Sequence, residues 1–209
     1  MRITIITILA LSMLLLSASK DRVEISIGDG LPMANKTLKN VDKSKKELKE
    51  YAKERGLLVV FSCNTCPFVI GNDSFEGWEK DYEKISDFAN KNNVGFVLIN
   101  SNEAKRKKGD GFKDMIERAK EYNYNMPYLY DKNHEVADAF GAKTTPHVFL
   151  FDGSLSLIYK GSIDDTYKPD IDKDNATTYL LDAMLNDATG EKIDPNSTPP
   201  KGCSIKRKS

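Results

Sequence analysis

Apolar runs and amphipathic segments alternate along this chain. Residues 57–62 and 94–100 are apolar at nearly every position, a pattern typical of strands that are buried on both faces of a sheet. Shorter apolar segments predict three further strands, at 127–130, 147–151 and 155–159. The last two are joined by Asp152-Gly153, a turn sequence typical of a β-hairpin.

The segments between the apolar runs have the spacing of amphipathic helices. Apolar residues recur at steps of three and four from Phe75 to Ala89, and Asp110 is the expected N-cap of the helix that follows it. The sequence from Ser44 to Glu47 matches a capping box. The predicted helices cover residues 48–52, 75–89, 110–122, 131–140 and 176–185.

This order of elements predicts an α/β fold with a central mixed sheet flanked by helices. Residues 20–42 alternate weakly and predict an edge hairpin in an N-terminal extension of the sheet. In such a sheet a reactive site belongs at the carboxyl ends of the parallel strands. The strand at 57–62 is one of these, and the residues directly after it are therefore candidates for chemistry.

The first 19 residues have the pattern of a signal peptide. Arg2 precedes an apolar stretch from Ile3 to Leu16, and small residues at Ser17 and Ser19 suit a cleavage site before Lys20. An uncleaved membrane anchor is the alternative, but the apolar run is shorter than the ~20 residues that a span needs. We therefore expect a periplasmic or secreted protein.

Length and charge limit what the mature chain can be. The 209 residues suffice for one domain, expected over 20–190, followed by a Pro-rich polar tail over 191–209. The 31 basic and 31 acidic residues cancel, so no nucleic-acid partner is expected. A basic cluster at 105–108 is either a solvated loop or a surface that steers acidic partners.

Two cysteines three positions apart follow the first buried strand, in Cys63-Asn64-Thr65-Cys66-Pro67. Pro67 suits the first turn of a helix, so Cys63 is expected at a helix N-terminus, where a thiol pKa falls from about 8.5 to roughly 3.5–7.5. Cys63 would then be the nucleophile, and Cys66 would resolve the mixed disulfide formed at Cys63. Redox chemistry is the favoured interpretation of this pair.

A structural disulfide and a metal site are the alternatives for the pair. A zinc site needs two more ligands, and the chain offers only Cys203, His134 and His147. Three cysteines are also too few for a disulfide scaffold. Neither a metal nor a cofactor is therefore expected.

The predicted elements follow in the order strand, Cys-x-x-Cys helix, further strand and helix units, Thr-Pro, hairpin and last helix. This order resembles that of the thioredoxin superfamily over roughly residues 25–190. The resemblance implies a cis bond between Thr145 and Pro146, facing the cysteines, with the backbone of Thr145 free to bind an extended substrate. The added helix at 110–122 and strand at 127–130 resemble a branch shared by exported thiol-disulfide oxidoreductases and peroxiredoxins of the alkyl hydroperoxide reductase and thiol-specific antioxidant type.

Within that branch, the motif around Cys63 favours disulfide exchange. Peroxiredoxins place a Thr three positions before the reactive Cys and a Pro four positions before that Thr, whereas this chain has Val60 and no Pro in 53–56. The resemblance thus implies an exported thiol-disulfide oxidoreductase acting on protein or small-molecule thiols and disulfides, with a membrane or soluble redox partner. The alternatives are a thiol peroxidase and a copper-binding or non-catalytic module that uses His147.

Thioredoxin itself differs from this chain beside the site. Ser62 stands where a Trp usually precedes the first Cys, and Leu57 stands where a buried Asp serves as proton acceptor. The potential of the pair therefore does not follow from the resemblance.

Cys203 lies in the tail, in Gly202-Cys203-Ser204-Ile205-Lys206. This tail resembles one found in thioredoxin-like proteins with Cys-Asn-x-Cys-Pro, in which a Trp tends to follow where Arg207 stands here. Cys203 is either a third redox thiol, brought back to Cys63 or Cys66, or a buried or free thiol. The sequence favours the second alternative.

Overall fold

The computed structural model describes residues 22–168, 171 and 175–208. The expected signal peptide lies outside these residues. Within the described part of the chain, no helix is both long enough and apolar enough to cross a membrane.

The strands of the described residues are β1 (Thr37–Asn40), β2 (Lys45–Glu47), β3 (Leu57–Ser62), β4 (Gly95–Asn100), β5 (Tyr128–Tyr130), β6 (Thr144–Thr145), β7 (His147–Phe151), β8 (Leu157–Gly161) and β9 (Cys203–Ser204). Seven of them form one sheet in the order β2-β1-β5-β4-β3-β7-β8. Strands β3, β4 and β5 are parallel to one another, and β1 and β7 run antiparallel to them. The edge strands β2 and β8 pair antiparallel with β1 and β7. Strands β6 and β9 form a separate antiparallel pair.

The parallel pairing of β3 and β4 determines where the site lies. The register runs from Leu57 opposite Gly95 to Ser62 opposite Asn100. Both strands therefore end at the same edge of the sheet, and the residues that follow Ser62 and Asn100 are neighbours in space.

Within the part of the chain that the structure describes, the α-helices are α1 (Pro67–Ile70), α2 (Tyr82–Lys91), α3 (Phe112–Glu121), α4 (Glu135–Phe140) and α5 (Tyr179–Thr189). Helices α2, α3 and α5 pack on one face of the sheet, together with Leu58 and Val60 of β3. Helix α4 packs on the other face, with Leu57 and Phe61. The predicted mixed sheet with helices on both faces is confirmed.

Strands β3, β4 and β7 match their predictions closely. The capping box at 44–47 predicted a helix directly after it, and that prediction was wrong. Lys45–Glu47 is strand β2, which pairs with β1, and only a 3-10 turn at Leu48–Tyr51 follows it. The edge hairpin is present, but its second strand lies beyond the predicted segment. Short-range capping side chains thus also occur where a strand passes into a turn.

The helix predicted from residue 75 begins only at Tyr82. Gly77 has φ 78°, and a Cβ there would lie 2.3 Å from the backbone nitrogen of Gly71. Asn72 and Phe75 form an isolated antiparallel bridge in the same loop. The apolar spacing continues through this loop because Phe75 and Trp78 pack together, with ring centroids 4.9 Å apart.

Candidate functional site

The cysteine pair lies in the turn between β3 and α1. Cys66, not Cys63, is the N-cap of α1, with Pro67 as the first helical residue. The prediction that Cys63 lies at the helix N-terminus was therefore wrong, because the turn Asn64-Thr65 separates it from the helix. Both cysteines are buried, with 1% of Cys63 and 3% of Cys66 exposed.

A cis peptide bond joins Thr145 and Pro146, as predicted. The two cysteines contact Thr145 in different ways. The Sγ of Cys63 lies 3.2 Å from the Oγ1 of Thr145, and the thiol of Cys66 donates to the Thr145 carbonyl oxygen at 3.1 Å. The chain thus brings together the two motifs that are about eighty residues apart in sequence.

A buried carboxylate, that of Asp110, holds the loop between the cysteines. It accepts hydrogen bonds from Asn64 N (2.7 Å), Thr65 Oγ1 (2.8 Å), Asn100 Nδ2 (2.8 Å) and Asn102 Nδ2 (3.1 Å). The expectation that Asp110 caps a helix was wrong, since Gly111 is the N-cap of α3. Asp110 is a site residue that sequence reasoning missed.

Further buried polar groups complete this network. The Tyr128 hydroxyl donates to Asn64 Oδ1 at 2.8 Å and accepts from Asn100 Nδ2 at 2.9 Å. Arg106 donates to the carbonyl oxygens of Asp110 and Asn100, each at 2.8 Å, so this member of the basic cluster at 105–108 is structural. A signal was present in the sequence: a buried apolar strand that ends in Asn100-Ser101-Asn102 places polar groups at the edge where Cys63 lies.

The C-terminal tail folds back onto the site. Strand β9 pairs with β6, with Cys203 opposite Thr145 and Ser204 opposite Thr144. The backbone of Thr145, expected to be free for a substrate, is therefore covered by the chain's own tail. Cys203 packs against the core cluster that contains Cys66, and it pairs with Thr145, whose carbonyl oxygen contacts the Cys66 sulfur. The tail is thus folded back, as a third redox thiol requires, while Cys203 itself is a free thiol, as the other alternative states.

These contacts concentrate negative charge on Cys66. A hydrogen bond from the Cys63 thiol, followed by contacts from Cys203 and Thr145, outweighs burial and lowers the pKa of Cys66 to about 5. Burial, the bond to Cys66 and the charge of Asp110 raise the pKa of Cys63 well above its usual value. Burial and the bond to Cys66 raise the pKa of Cys203 to about 11. The expected lowering of the Cys63 pKa is thus wrong for the structure with its tail docked.

His147 lies on the far side of the sheet from the cysteines. Its ring packs on Phe149 at 4.4 Å between centroids, and its Nδ1 accepts the N–H of Lys143 at 3.1 Å. Its Nε2 is 3.8 Å from Glu24 Oε1, and burial lowers the His147 pKa to about 3. The copper-binding alternative requires His147 to lie beside the Cys pair, and His147 does not lie there. No group of three or more His, Cys, Asp or Glu among the described residues is arranged to hold a metal ion.

Comparisons with known proteins agree with this architecture. The sequence model of the Redoxin family matches residues 26–180. An uncharacterized conserved protein from Geobacillus kaustophilus is 31% identical, with a TM-score of 0.75, over 88% of this chain and 93% of that chain. A hypothetical protein from Sinorhizobium meliloti 1021 is 29% identical, with a TM-score of 0.76, over 90% of this chain and 97% of that one.

A more distant solved structure shares the fold. Peroxidoxin BcpB from Mycobacterium tuberculosis is 13% identical, with a TM-score of 0.52, over 79% of this chain and 98% of that chain. No curated protein matches this chain significantly.

Proposed function

The chain belongs to the Redoxin family of thioredoxin-fold redox proteins, and we propose that it is an exported thiol-disulfide oxidoreductase whose active pair is Cys63 and Cys66. The observation that carries this proposal is the contact of two buried cysteine sulfurs with one residue, cis-linked Thr145, at the carboxyl end of β3. The pKa of one of the two, Cys66, is lowered to about 5, which favours the thiolate, the form that attacks a disulfide.

Exchange at this pair balances without a cofactor. A thiolate of the pair attacks a substrate disulfide, one substrate sulfur leaves as a thiol, and a mixed disulfide forms. The second cysteine then attacks the sulfur of the first cysteine in the mixed disulfide, so the substrate sulfur leaves as a thiol and a Cys63–Cys66 disulfide remains. The same steps run backwards when the oxidised pair accepts electrons from a thiol.

Which of the two cysteines attacks the substrate first is a separate question. The sequence predicts Cys63 as nucleophile and Cys66 as resolving thiol. The thiolate at Cys66 in the tail-docked structure supports attack by Cys66 instead, since the thiolate is the attacking species. The single-cysteine trapping described next separates the two orders.

The test is equilibration with glutathione at fixed ratios of reduced to oxidised form, followed by acid quenching and mass spectrometry. The native protein is expected to reach a stable Cys63–Cys66 dithiol-disulfide equilibrium. Cys63→Ser and Cys66→Ser, each made in the Cys203→Ala background, should lose that disulfide, and the variant that retains the nucleophile should accumulate a glutathione adduct. The absence of both the equilibrium and any adduct would overturn the proposal.

A thiol peroxidase is the second candidate function. The low pKa of Cys66 supports it, because a peroxide is also attacked by a thiolate. The opposing observation is Val60, which stands where peroxiredoxins have a hydroxyl and which packs in the apolar core. With excess dithiothreitol as reductant, consumption of hydrogen peroxide at more than one equivalent per site, lost in Cys66→Ser and Cys63→Ser alike, would favour the peroxidase.

Location and partners form part of the same proposal. The pattern of residues 1–19 supports export to the periplasm or the medium, where thiol and disulfide substrates of proteins and small molecules meet. Fractionation of cells that express the full chain, with N-terminal sequencing of the product, tests this. A mature protein that begins near Lys20 outside the cytosol is expected, and an uncleaved cytosolic product would contradict export.

A further inference from the structure

The C-terminal segment, residues 202–207, occupies the backbone edge beside the reactive cysteines. Cys203 pairs with Thr145, and Ser204 pairs with Thr144. Strand addition of this kind is how extended peptides bind to an open sheet edge. The segment thus binds the site as a peptide substrate would, with a cysteine placed opposite Thr145.

The fit at this edge is close. Gly202 lies so near the backbone of Thr145 that a Cβ on Gly202 would be 2.2 Å from the Thr145 carbonyl oxygen. Any larger residue at this position would displace the segment. The Cys203 side chain packs against the core cluster that includes Cys66, and it helps to lower the pKa of Cys66.

Residues beyond Cys203 anchor the segment to the domain. Ile205 is buried in the core on the α4 side of the sheet, with 5% of its surface exposed. The Lys206 N–H donates to Asn102 Oδ1 at 2.8 Å, and Asn102 in turn donates to Asp110. Arg207 Nε contacts Asp138 Oδ1 at 2.6 Å. Docked in this way, Cys203 has a high effective concentration at Cys66.

We propose that Cys203 is a third redox thiol, which exchanges with the Cys63–Cys66 disulfide to form a Cys66–Cys203 disulfide. The inference rests on the proposed function, since it uses the oxidised pair. In this step the Cys203 sulfur, after losing its proton, attacks Cys66 Sγ and forms the new S–S bond. Cys63 leaves with the electron pair of the broken bond and takes up a proton, so that no outside oxidant is needed.

The exchange has a consequence for access to the site. While Cys203 is bonded to Cys66, the edge at Thr145 stays covered and Cys63 is a thiol. A substrate peptide must then compete with the C-terminal segment for Thr145. The oxidised protein therefore consists of two intramolecular disulfide isomers, one open to exchange and one closed by its own tail.

Trypsin digestion separates the two isomers by mass. Cleavage after Arg55, Lys80, Lys201 and Lys206 leaves Cys63 and Cys66 in one peptide, 56–80, and Cys203 in another, 202–206. A bond within the pair stays inside the first peptide, whereas a bond to Cys203 joins the two. The full chain is oxidised with excess oxidised glutathione, alkylated in acid and digested without reductant.

In the native protein, both the internally bonded peptide and the joined pair of peptides are expected. In Cys63→Ser, the joined pair should become the main product, because glutathione bound at Cys66 is displaced by Cys203. Gly202→Ala, made in the Cys63→Ser background, should reduce the joined product at least about tenfold by displacing the segment. Gly30→Ala is the matched control, because a Cβ at Gly30 meets no atom within 4 Å.

The outcomes separate this inference from the proposed function. If the pair of peptides never joins while the native protein still forms the Cys63–Cys66 disulfide, Cys203 is not a redox thiol and the proposed function stands. If neither disulfide forms, the proposed function fails as well. If Gly202→Ala and Gly30→Ala give equal amounts of the joined peptides, Cys203 reaches Cys66 by random collision of a loose tail. That result would overturn the proposed exchange from a docked segment.

Discussion

The carboxylate of Asp110 accepts the backbone N–H of Asn64 at 2.7 Å, although the two residues are 46 positions apart. With the hydroxyl of Thr65 bound to its other oxygen at 2.8 Å, Asp110 fixes both residues between the cysteines. The rigidity of the Cys-x-x-Cys turn therefore depends on a loop that follows β4. The same carboxylate, through Asn102, is linked to the docked tail.

Asp110→Asn is expected to destabilise the protein by about 2–4 kcal/mol, because an amide has one acceptor oxygen for four buried donors. The pKa of Cys63 should also fall, since the charge of Asp110 raises it. Urea unfolding and the pH dependence of alkylation measure the two effects. Asp87→Asn, an exposed site on α2, is the control and should change neither. Equal stability of both variants would contradict this role.

Replacing Cys203 should change the ionisation of Cys66 without touching the pair itself. Cys203→Ala removes a thiol that donates to Cys66, so the pKa of Cys66 is expected to rise above about 5. Cys203→Ser keeps a donor and should raise the pKa of Cys66 less. Thiolate absorbance near 240 nm, followed against pH in the reduced protein, gives the midpoint. An unchanged midpoint in Cys203→Ala would show that the tail does not stabilise this thiolate.

The sequence predicted the central sheet well because its strands are long apolar runs. Leu57–Ser62 and Gly95–Asn100 are buried along their whole length, so no other element competes for them. The Thr145-Pro146 motif and the Cys pair were likewise recognisable from local residues. These features need only their own neighbours in sequence, which is why they could be read without the fold.

The features that were missed depend on contacts that are distant in sequence. Asp110 precedes a helix as an N-cap would, yet its carboxylate faces Asn64 in another loop. The tail has one apolar anchor, Ile205, among polar residues, and a two-residue strand has no period to detect. The low thiol pKa falls on Cys66 first through the Cys63 thiol and then through Cys203, and only the second contribution depends on the docked tail.

Ile205→Ala is expected to loosen the tail without unfolding the domain. Removing a buried Ile side chain costs about 2–5 kcal/mol, and at a chain terminus that cost falls mainly on docking. A loss of 2 kcal/mol corresponds to about a thirtyfold higher rate of Cys203 alkylation through an undocked state. Ile27→Ala, at a side chain that is already exposed, is the control. Equal alkylation rates in the two variants would show that Ile205 does not hold the tail.

His147 should make the protein less stable in mild acid. Its pKa is about 3 in the folded chain, because burial disfavours the cation, against about 6.5 in the unfolded chain. Between these values the unfolded chain binds more protons, so the free energy of unfolding falls as the pH drops below about 6.5, by up to about 1.4 kcal/mol per pH unit.

His147→Asn keeps an acceptor for the Lys143 N–H and removes this titration. Its free energy of unfolding should therefore depend less steeply on pH than that of the native protein between pH 6.5 and 4.5. Urea unfolding at half-unit steps of pH measures the slope, and His134→Asn, at the other histidine, is the control. Parallel stability curves for the native protein and His147→Asn would show that His147 is protonated equally in both states, contrary to its burial beside Glu24.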